Sequence, residues 1–530
     1  MYSFFFVAIL LTLGLAWVYG YSILRSKLPN GTKLLPGPPG QFLVGNLKRM
    51  PKKHYWLKFL EWSKQYGPIY QLSFFGKPNI IIGSEKIAND LLRDRGSIYS
   101  SREQRPALVK LLGGSLRPLM WPHDHTFQQG RKLWHQLCSP KACVNYQDTI
   151  TIEALRALQD LIKRPEKYEE WFSRYAGGII FRLGFGKVLQ GGGDPMAKRI
   201  HKEIQNFGKV SKPGAYLVDL FPKMMWFPRF LAPWKAELEA MHVEERQVMR
   251  DLLNDVRQEM EEGTAVDCWE KYYIEHMHEY DLSEDQGAYV IGTLFEAGIH
   301  TTSVAMQSFV HAMVLHPGEY KKLQDELEDI VGADRLPTFD HMPSLPRVRA
   351  TVKEVLRWRP VVAGGISHFL ERDDTYEGQY IPAGSNVHAC QLAMSRDPEL
   401  YPCPEEFIPD RWLDRTYSTT YREPLSQYPN IQHYMAFGNG RRICPGMHIA
   451  ERSLTLLVAQ IAWACDVRKK VEGIEEVSVP LESFKDAMFL EPEMFQFHLT
   501  ARSHERMELI AKATELSKEG DPLRYKRRYR

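Results

Sequence analysis

The chain has 530 residues, of which 44% are hydrophobic and 25% charged, the balance of an ordinary globular protein. Its net charge of +3 gives no reason to expect nucleic acid as a partner. Seven cysteines (Cys138, Cys143, Cys268, Cys390, Cys403, Cys444 and Cys465) form no CxxC pair and no other zinc spacing. An odd number spread thinly over a long chain argues against a disulfide framework and for a reducing compartment.

The first 24 residues carry no charge and are almost wholly apolar from Phe4 to Leu24. About 20 such residues span a bilayer core. Arg25, Lys27 and Lys33 follow the apolar run, whereas a cleaved signal carries its charge first and has a core of roughly 7–15 residues. The expectation is one N-terminal transmembrane helix, with residues 1–28 as the anchor and everything after Arg25 in the cytosol. Residues 29–50 hold Leu35-Pro36-Gly37-Pro38-Pro39-Gly40. Its prolines and glycines deny it a helix or central strand, so it reads as a hinge.

Residues 51–502 show no convincing linker or repeat and read as one large domain, mainly α with small β-sheets. Short β-rich patches are expected around Ile69–Ile82 and Thr375–Val387. The segment Leu217–Trp234 is dense in Phe, Met, Trp and Pro. It is either core packing or a flexible lid that touches the bilayer, because aromatic side chains favour the membrane interface and Met adapts to varied apolar partners. One long helix is expected from Ser283, where Gln286 completes a capping box, to about His316 before Pro317-Gly318. It would run roughly 45–50 Å. A second, apolar nearly all round, is expected just after Cys444 and belongs in the core. Residues 503–530 read as a surface helix and a frayed basic tail, able to touch anionic lipid.

The strongest signal is Phe437-Gly438-Asn439-Gly440-Arg441-Arg442-Ile443-Cys444-Pro445-Gly446. Its glycines permit positive φ and close backbone approach. Pro445 suits a helix start, which would put Cys444 at a helix N-terminus, where amides and dipole favour a thiolate. Arg441 and Arg442 add positive charge, and Phe437 can shield the sulfur from water. Together these features stabilise an anionic sulfur as a metal ligand.

The loop resembles the haem-binding signature of the cytochrome P450 family, F-x-x-G-x-R-x-C-x-G, at every fixed position. The resemblance extends over about residues 34–502 and implies the family's fold. It implies a haem b with the Cys444 thiolate as axial iron ligand and Arg442 paired with a propionate. Thiolate ligation pushes electron density onto iron and favours O–O cleavage. Glu354-Val355-Leu356-Arg357 is similar to the family's E-x-x-R and Phe407-Ile408-Pro409-Asp410-Arg411-Trp412 to its F-x-P-x-R-W. These imply a structural charged cluster of Glu354, Arg357 and Arg411. Glu153-Ala154-Leu155-Arg156 has the first form at the wrong place and is expected to mean nothing. Phe127 and Arg131 stand where the family has W-x-x-x-R, which implies a propionate contact for Arg131. His368 resembles another, or is a strand histidine bonded to backbone.

The long helix holds Ala297-Gly298-Ile299-His300-Thr301-Thr302, against the family's A/G-G-x-D/E-T-T/S. Thr301 matches. Gly298 is expected to open the helix at the oxygen site. His300 replaces the acid that normally relays protons beside the threonine. Imidazole can shuttle protons near neutral pH, and Glu296, one turn earlier, could assist. Alternatively His300 points into a neighbouring loop and water does the relay.

The resemblance implies a monooxygenase acting on an apolar or aromatic small molecule at the endoplasmic reticulum membrane, in fungal secondary metabolism. The chain has no flavin or nicotinamide fingerprint. NADPH and FAD/FMN are therefore expected only through a partner, NADPH–cytochrome P450 reductase, with cytochrome b5 as a further donor. A reductase-independent isomerase or dehydratase of the same fold, and a non-enzymatic haem-binding protein, are the competing readings. Reductase-dependent NADPH consumption separates the first reading from both.

Overall fold

The longest helix of the chain begins where its sequence says it should. In the computed structural model, which describes residues 28–190, 194–212, 214–485 and 488–523, helix Glu284–Leu315 is capped by Ser283 and Gln286 in a complete capping box. Pro317 then opens the next helix instead of merely ending this one. The expected anchor lies outside the described residues, as does the basic end of the tail. Among the described residues no helix is long and apolar enough to cross a membrane.

The chain divides into two compact units. The first takes residues up to 103, residues 364–394 and residues 438–442. Helix α1 (Tyr55–Tyr66) lies in this unit with strands β1 (Lys33–Leu34), β2 (Ile69–Phe74), β3 (Lys77–Ile82), β4 (His368–Phe369), β5 (Asp374–Tyr376), β6 (Gln379–Ile381) and β7 (Asn386–Ala389). Both expected β-rich patches are therefore present. Strands β2 and β3 form a hairpin through Phe75 and Gly76, both at positive φ, the backbone that matches strand twist in a tight turn. The sheet order is β2-β3-β7-β4, with Ile80 beside Val387 in the parallel pair and His368 beside Val387 in the antiparallel one. The smaller sheet is β1-β6-β5.

The second unit is mostly helical. It contains α2 (His125–Cys138), α3 (Gln147–Lys163), α4 (Tyr168–Phe185), α5 (Pro195–Ser211), α6 (Pro233–Glu261), α7 (Glu284–Leu315), α8 (Pro317–Ile330), α9 (Pro346–Trp358), α10 (Met447–Ala464) and α11 (His504–Glu519). Strands β8 (Cys465–Lys469) and β9 (Phe497–Ala501) pair antiparallel beside them. Helix α10 is buried on nearly all sides, as its apolar sequence requires. Helices α4 and α7 meet through Phe181 and Phe295, stacked with centroids 5.1 Å apart.

A fully buried carboxylate, Glu354 on α9, ties this unit together. Arg357 donates to it twice, at 2.9 and 2.8 Å, Arg411 once at 3.0 Å and the Trp412 indole once at 3.0 Å. The remaining Arg357 and Arg411 donors reach carbonyls of Ser395, Pro404, Glu406 and Pro402. Trp412 then packs edge-on against Tyr434, whose carbonyl accepts from the Phe437 N–H. The cluster thus braces the approach to Cys444.

One expectation fails here. Glu153 is not idle: it is fully buried and receives Arg156, Arg182 and Arg174 at 2.5, 2.6 and 3.4 Å. The expected surface helix at the start of the tail is present as α11, and a few of its side chains anchor it. Arg506 of α11 donates to the Trp463 carbonyl at 2.6 Å, stacks over the Trp463 ring and pairs with Glu328. Asp521 pairs with Arg182 at 2.9 Å. A buried guanidinium shared among three partners fastens α11 to the body of the unit.

Candidate active site

Cys444 sits three residues before helix α10, whose N-cap is Gly446. Pro445 therefore precedes the helix and does not open it, contrary to the sequence expectation. The Cys444 N–H donates to the Phe437 carbonyl at 2.8 Å, which closes the loop. Phe437 contributes this backbone bond. Burial pushes the Cys444 thiol pKa up, and the Gly446 N–H and Arg131 act in the opposite direction. Arg131 on α2 donates to the Ile443 carbonyl at 2.8 Å. Burial lowers its pKa and Cys444 counters that.

The other buried thiols each have a guanidinium or backbone amides nearby, but not both. Burial pushes Cys143 up to about 11 and Cys390 and Cys465 up to about 12. Burial raises Cys138 as well. Buried thiols of this kind stay neutral and inert. At Cys444 an adjacent guanidinium and a backbone amide already favour the anion, and a cation at the sulfur would complete the compensation. The donor set fits a haem iron.

In the first unit, Gly440 has φ +60°, and a Cβ there would lie 2.1 Å from the Leu92 carbonyl oxygen. Only glycine fits. Arg442 donates through Nε to the Ser100 carbonyl at 2.6 Å. His368 is buried in β4 and its Nδ1–H donates to the Tyr99 carbonyl at 2.9 Å. Burial first, then Arg102, lowers the His368 pKa well below the usual value. A neutral ring with Nδ1 protonated presents Nε2 as an acceptor, so His368 can donate to a carboxylate only as imidazolium. The strand-histidine reading describes its present bonds.

Sequence reasoning missed Arg102. It is buried, and burial lowers its pKa to about 10. It donates to the carbonyls of Ile366, at 3.1 Å, and Ser367. Arg102 and Arg442 are cations beside His368, an arrangement suited to a carboxylate-bearing group. No local motif marked Arg102; only the pairing of residues 99–102 with 366–369 brings it there.

The α7 residues behave differently from expectation. The helix runs unbroken through Gly298. Gly298 is needed for packing, since a Cβ there would lie 2.7 Å from Ile180 of α4. The Thr301 hydroxyl donates to the Ala297 carbonyl at 2.8 Å. Glu296 does not assist His300. It is held by Arg117 at 2.8 Å, and Arg117 is held also by Glu245 at 2.7 Å. Burial, moderated by Arg117, places Glu296 at about 7. His300 Nε2 instead lies 3.2 Å from Glu491, with its ring against Phe489.

The sequence model of the cytochrome P450 family matches residues 35–481. The chain is 33% identical to cytochrome P450 monooxygenase fogE of Aspergillus ruber over 89% of this chain and 87% of that one. It is 31% identical to cytochrome P450 monooxygenase virE of Hypocrea virens over 91% of this chain and 87% of that one. A zebra fish cytochrome P450 solved with abiraterone shares the fold, with a TM-score of 0.66 and 21% identity over 84% of this chain and all of that one. A mainly helical enzyme with small sheets and a cysteine loop of this form is a haem-thiolate oxidoreductase. This chain belongs to the cytochrome P450 family, whose curated members similar to it are named monooxygenases.

Proposed function

We propose that the protein inserts one oxygen atom from O2 into an apolar or aromatic small molecule, with Cys444 as the haem ligand. The observation that carries this reading is the Cys444 loop, where an amide and Arg131 oppose the cost of a buried thiolate. A haem bound there supplies oxygen activation, because thiolate ligation favours O–O cleavage. In the second unit Arg131 would accompany a haem held at Cys444; in the first, Arg442 and Arg102 beside His368 would suit a carboxylate such as a propionate. Electrons come from NADPH through a separate flavin-bearing reductase, with cytochrome b5 as a further donor. A place in secondary metabolism belongs to the same proposal.

Oxygen insertion consumes protons as well as electrons. In this reading His300 and the Thr301 hydroxyl, adjacent in sequence, carry those protons through water. His300→Ala should bind substrate normally yet lose product formed per NADPH consumed, by roughly tenfold or more. His300→Asp should restore much of the loss. Equal coupling in all three proteins, with reductase supplied, would remove the relay.

Membrane attachment at the endoplasmic reticulum is part of the same proposal. Residues 217–231 expose Trp226 (80%), Phe230 (81%), Leu231, Leu217, Phe221 and Phe227, while Val218 packs inward on Leu238 and Leu112. An exposed apolar patch of this size marks an interaction surface. Deleting residues 1–28 should leave part of the protein on membranes. Changing Phe221, Trp226, Phe227 and Phe230 to Ser in the deletion should then release it. Unchanged fractionation after the second step would refute the contact.

A further inference from the structure

The acid missing from position 300 has a counterpart elsewhere in the chain. Glu491 lies in the segment before β9, and its carboxylate is nearly buried. One oxygen faces His300 Nε2 at 3.2 Å. The other accepts from Lys485 Nζ at 2.9 Å. Lys485 Nζ also donates to both oxygens of Glu169 on α4, at 3.0 and 3.1 Å. Lys485 and Glu169 have side-chain exposures of 31% and 28%, against 8% for Glu491. The row therefore runs from His300, the residue before Thr301, to solvent.

The row is held in place. The Lys485 N–H donates to the Glu491 carbonyl at 2.9 Å, and the Leu490 N–H to the Val361 carbonyl at 2.9 Å. Phe489 packs on the imidazole with centroids 4.8 Å apart. Gln307 Nε2 approaches Glu491 at 3.4 Å. The charged and titratable groups around the imidazole are Glu491, Lys485 beyond it, and His201 from α5, whose pKa is lowered by burial and then by His300.

We propose that Glu491 does the work of the absent acid: it positions His300 with its Nε2–H held, and with Lys485 and Glu169 it connects that imidazole to solvent. This rests on the reading of His300 and Thr301 as the proton relay. Glu491 suits a charge-compensating role. Burial raises its pKa, but the bonds from His300 and Lys485 outweigh that and hold it at about 2. A carboxylate that stays ionised keeps a partner imidazole oriented and its proton available, as in other His–carboxylate pairs. When His300 gives up a proton it is refilled from solvent, while Glu491 stays ionised and holds the Nε2–H and Lys485 keeps its charge. One proton enters for each that leaves, and no electron moves along the row.

The test compares wild type, His300→Ala, Glu491→Gln, Glu491→Asp and Lys485→Met as full-length holoenzymes with reductase. Coupling is read with the solvent deuterium isotope effect. The stretching frequency of carbon monoxide on the reduced haem is read separately, since it senses distal charge without turnover. Glu491→Gln should lose coupling by roughly tenfold and shift the stretch in the same direction as His300→Ala. Glu491→Asp should recover part of both. Lys485→Met, at a half-exposed position that tolerates change, should raise the isotope effect, and it carries the test should Glu491→Gln fold poorly. Loss in His300→Ala with wild-type coupling and stretch in Glu491→Gln and Lys485→Met would overturn the route while sparing the relay. No loss in His300→Ala would overturn the relay itself.

Discussion

Cys444→Ala is expected to yield a protein that folds but holds little haem. Disturbing only the hydrogen bonds around a metal ligand costs about 10–100-fold in affinity, and losing the ligand should cost more. Burial raises Cys138, Cys143, Cys390 and Cys465 as it does Cys444, but none of those four combines a guanidinium with a backbone amide at the sulfur. Haem retained per chain after purification is the measurement. Wild-type haem content, with the thiolate-type spectrum kept, would show that another residue is the ligand.

Glu354→Ala should have the largest effect on folding. It leaves two fully buried guanidiniums, Arg357 and Arg411, without the carboxylate they share. Breaking a buried pair by removing one partner costs about 3–5 kcal/mol, a large part of a typical stability of about 5–15 kcal/mol. Little soluble holoprotein is expected. Glu354→Gln keeps the volume and a carbonyl acceptor, and should recover some of it. Yield and thermal unfolding of the two variants, side by side, decide this. An alanine variant as stable as wild type would mean that the surrounding carbonyls satisfy both arginines unaided.

These expectations separate what the sequence displays from what it conceals. Local chemistry is legible: Ser283 and Gln286 mark the start of α7, and the short apolar runs around Ile69–Ile82 mark a β-rich patch, which the fold makes a hairpin. The cysteine loop was legible because its glycines and arginines are neighbours in sequence. Partners brought together by packing were not. Glu296 looked available to His300 on helical spacing, but Arg117 claims it. Gly298 looked like a helix opening, but it is set by the close approach of Ile180. Glu153 was dismissed because the E-x-x-R spacing is common; its burial and its arginines on α4 appear only once α3 and α4 pack. Glu491 and Arg102 carry no motif at all.

The central claim, a haem held by a cysteine thiolate, is tested most directly by the carbon monoxide difference spectrum of the reduced full-length protein. It requires neither substrate nor reductase. A strongly red-shifted Soret band, the mark of thiolate ligation, is the predicted result. A band at the position given by histidine-ligated haem, in protein with full haem content, would contradict it.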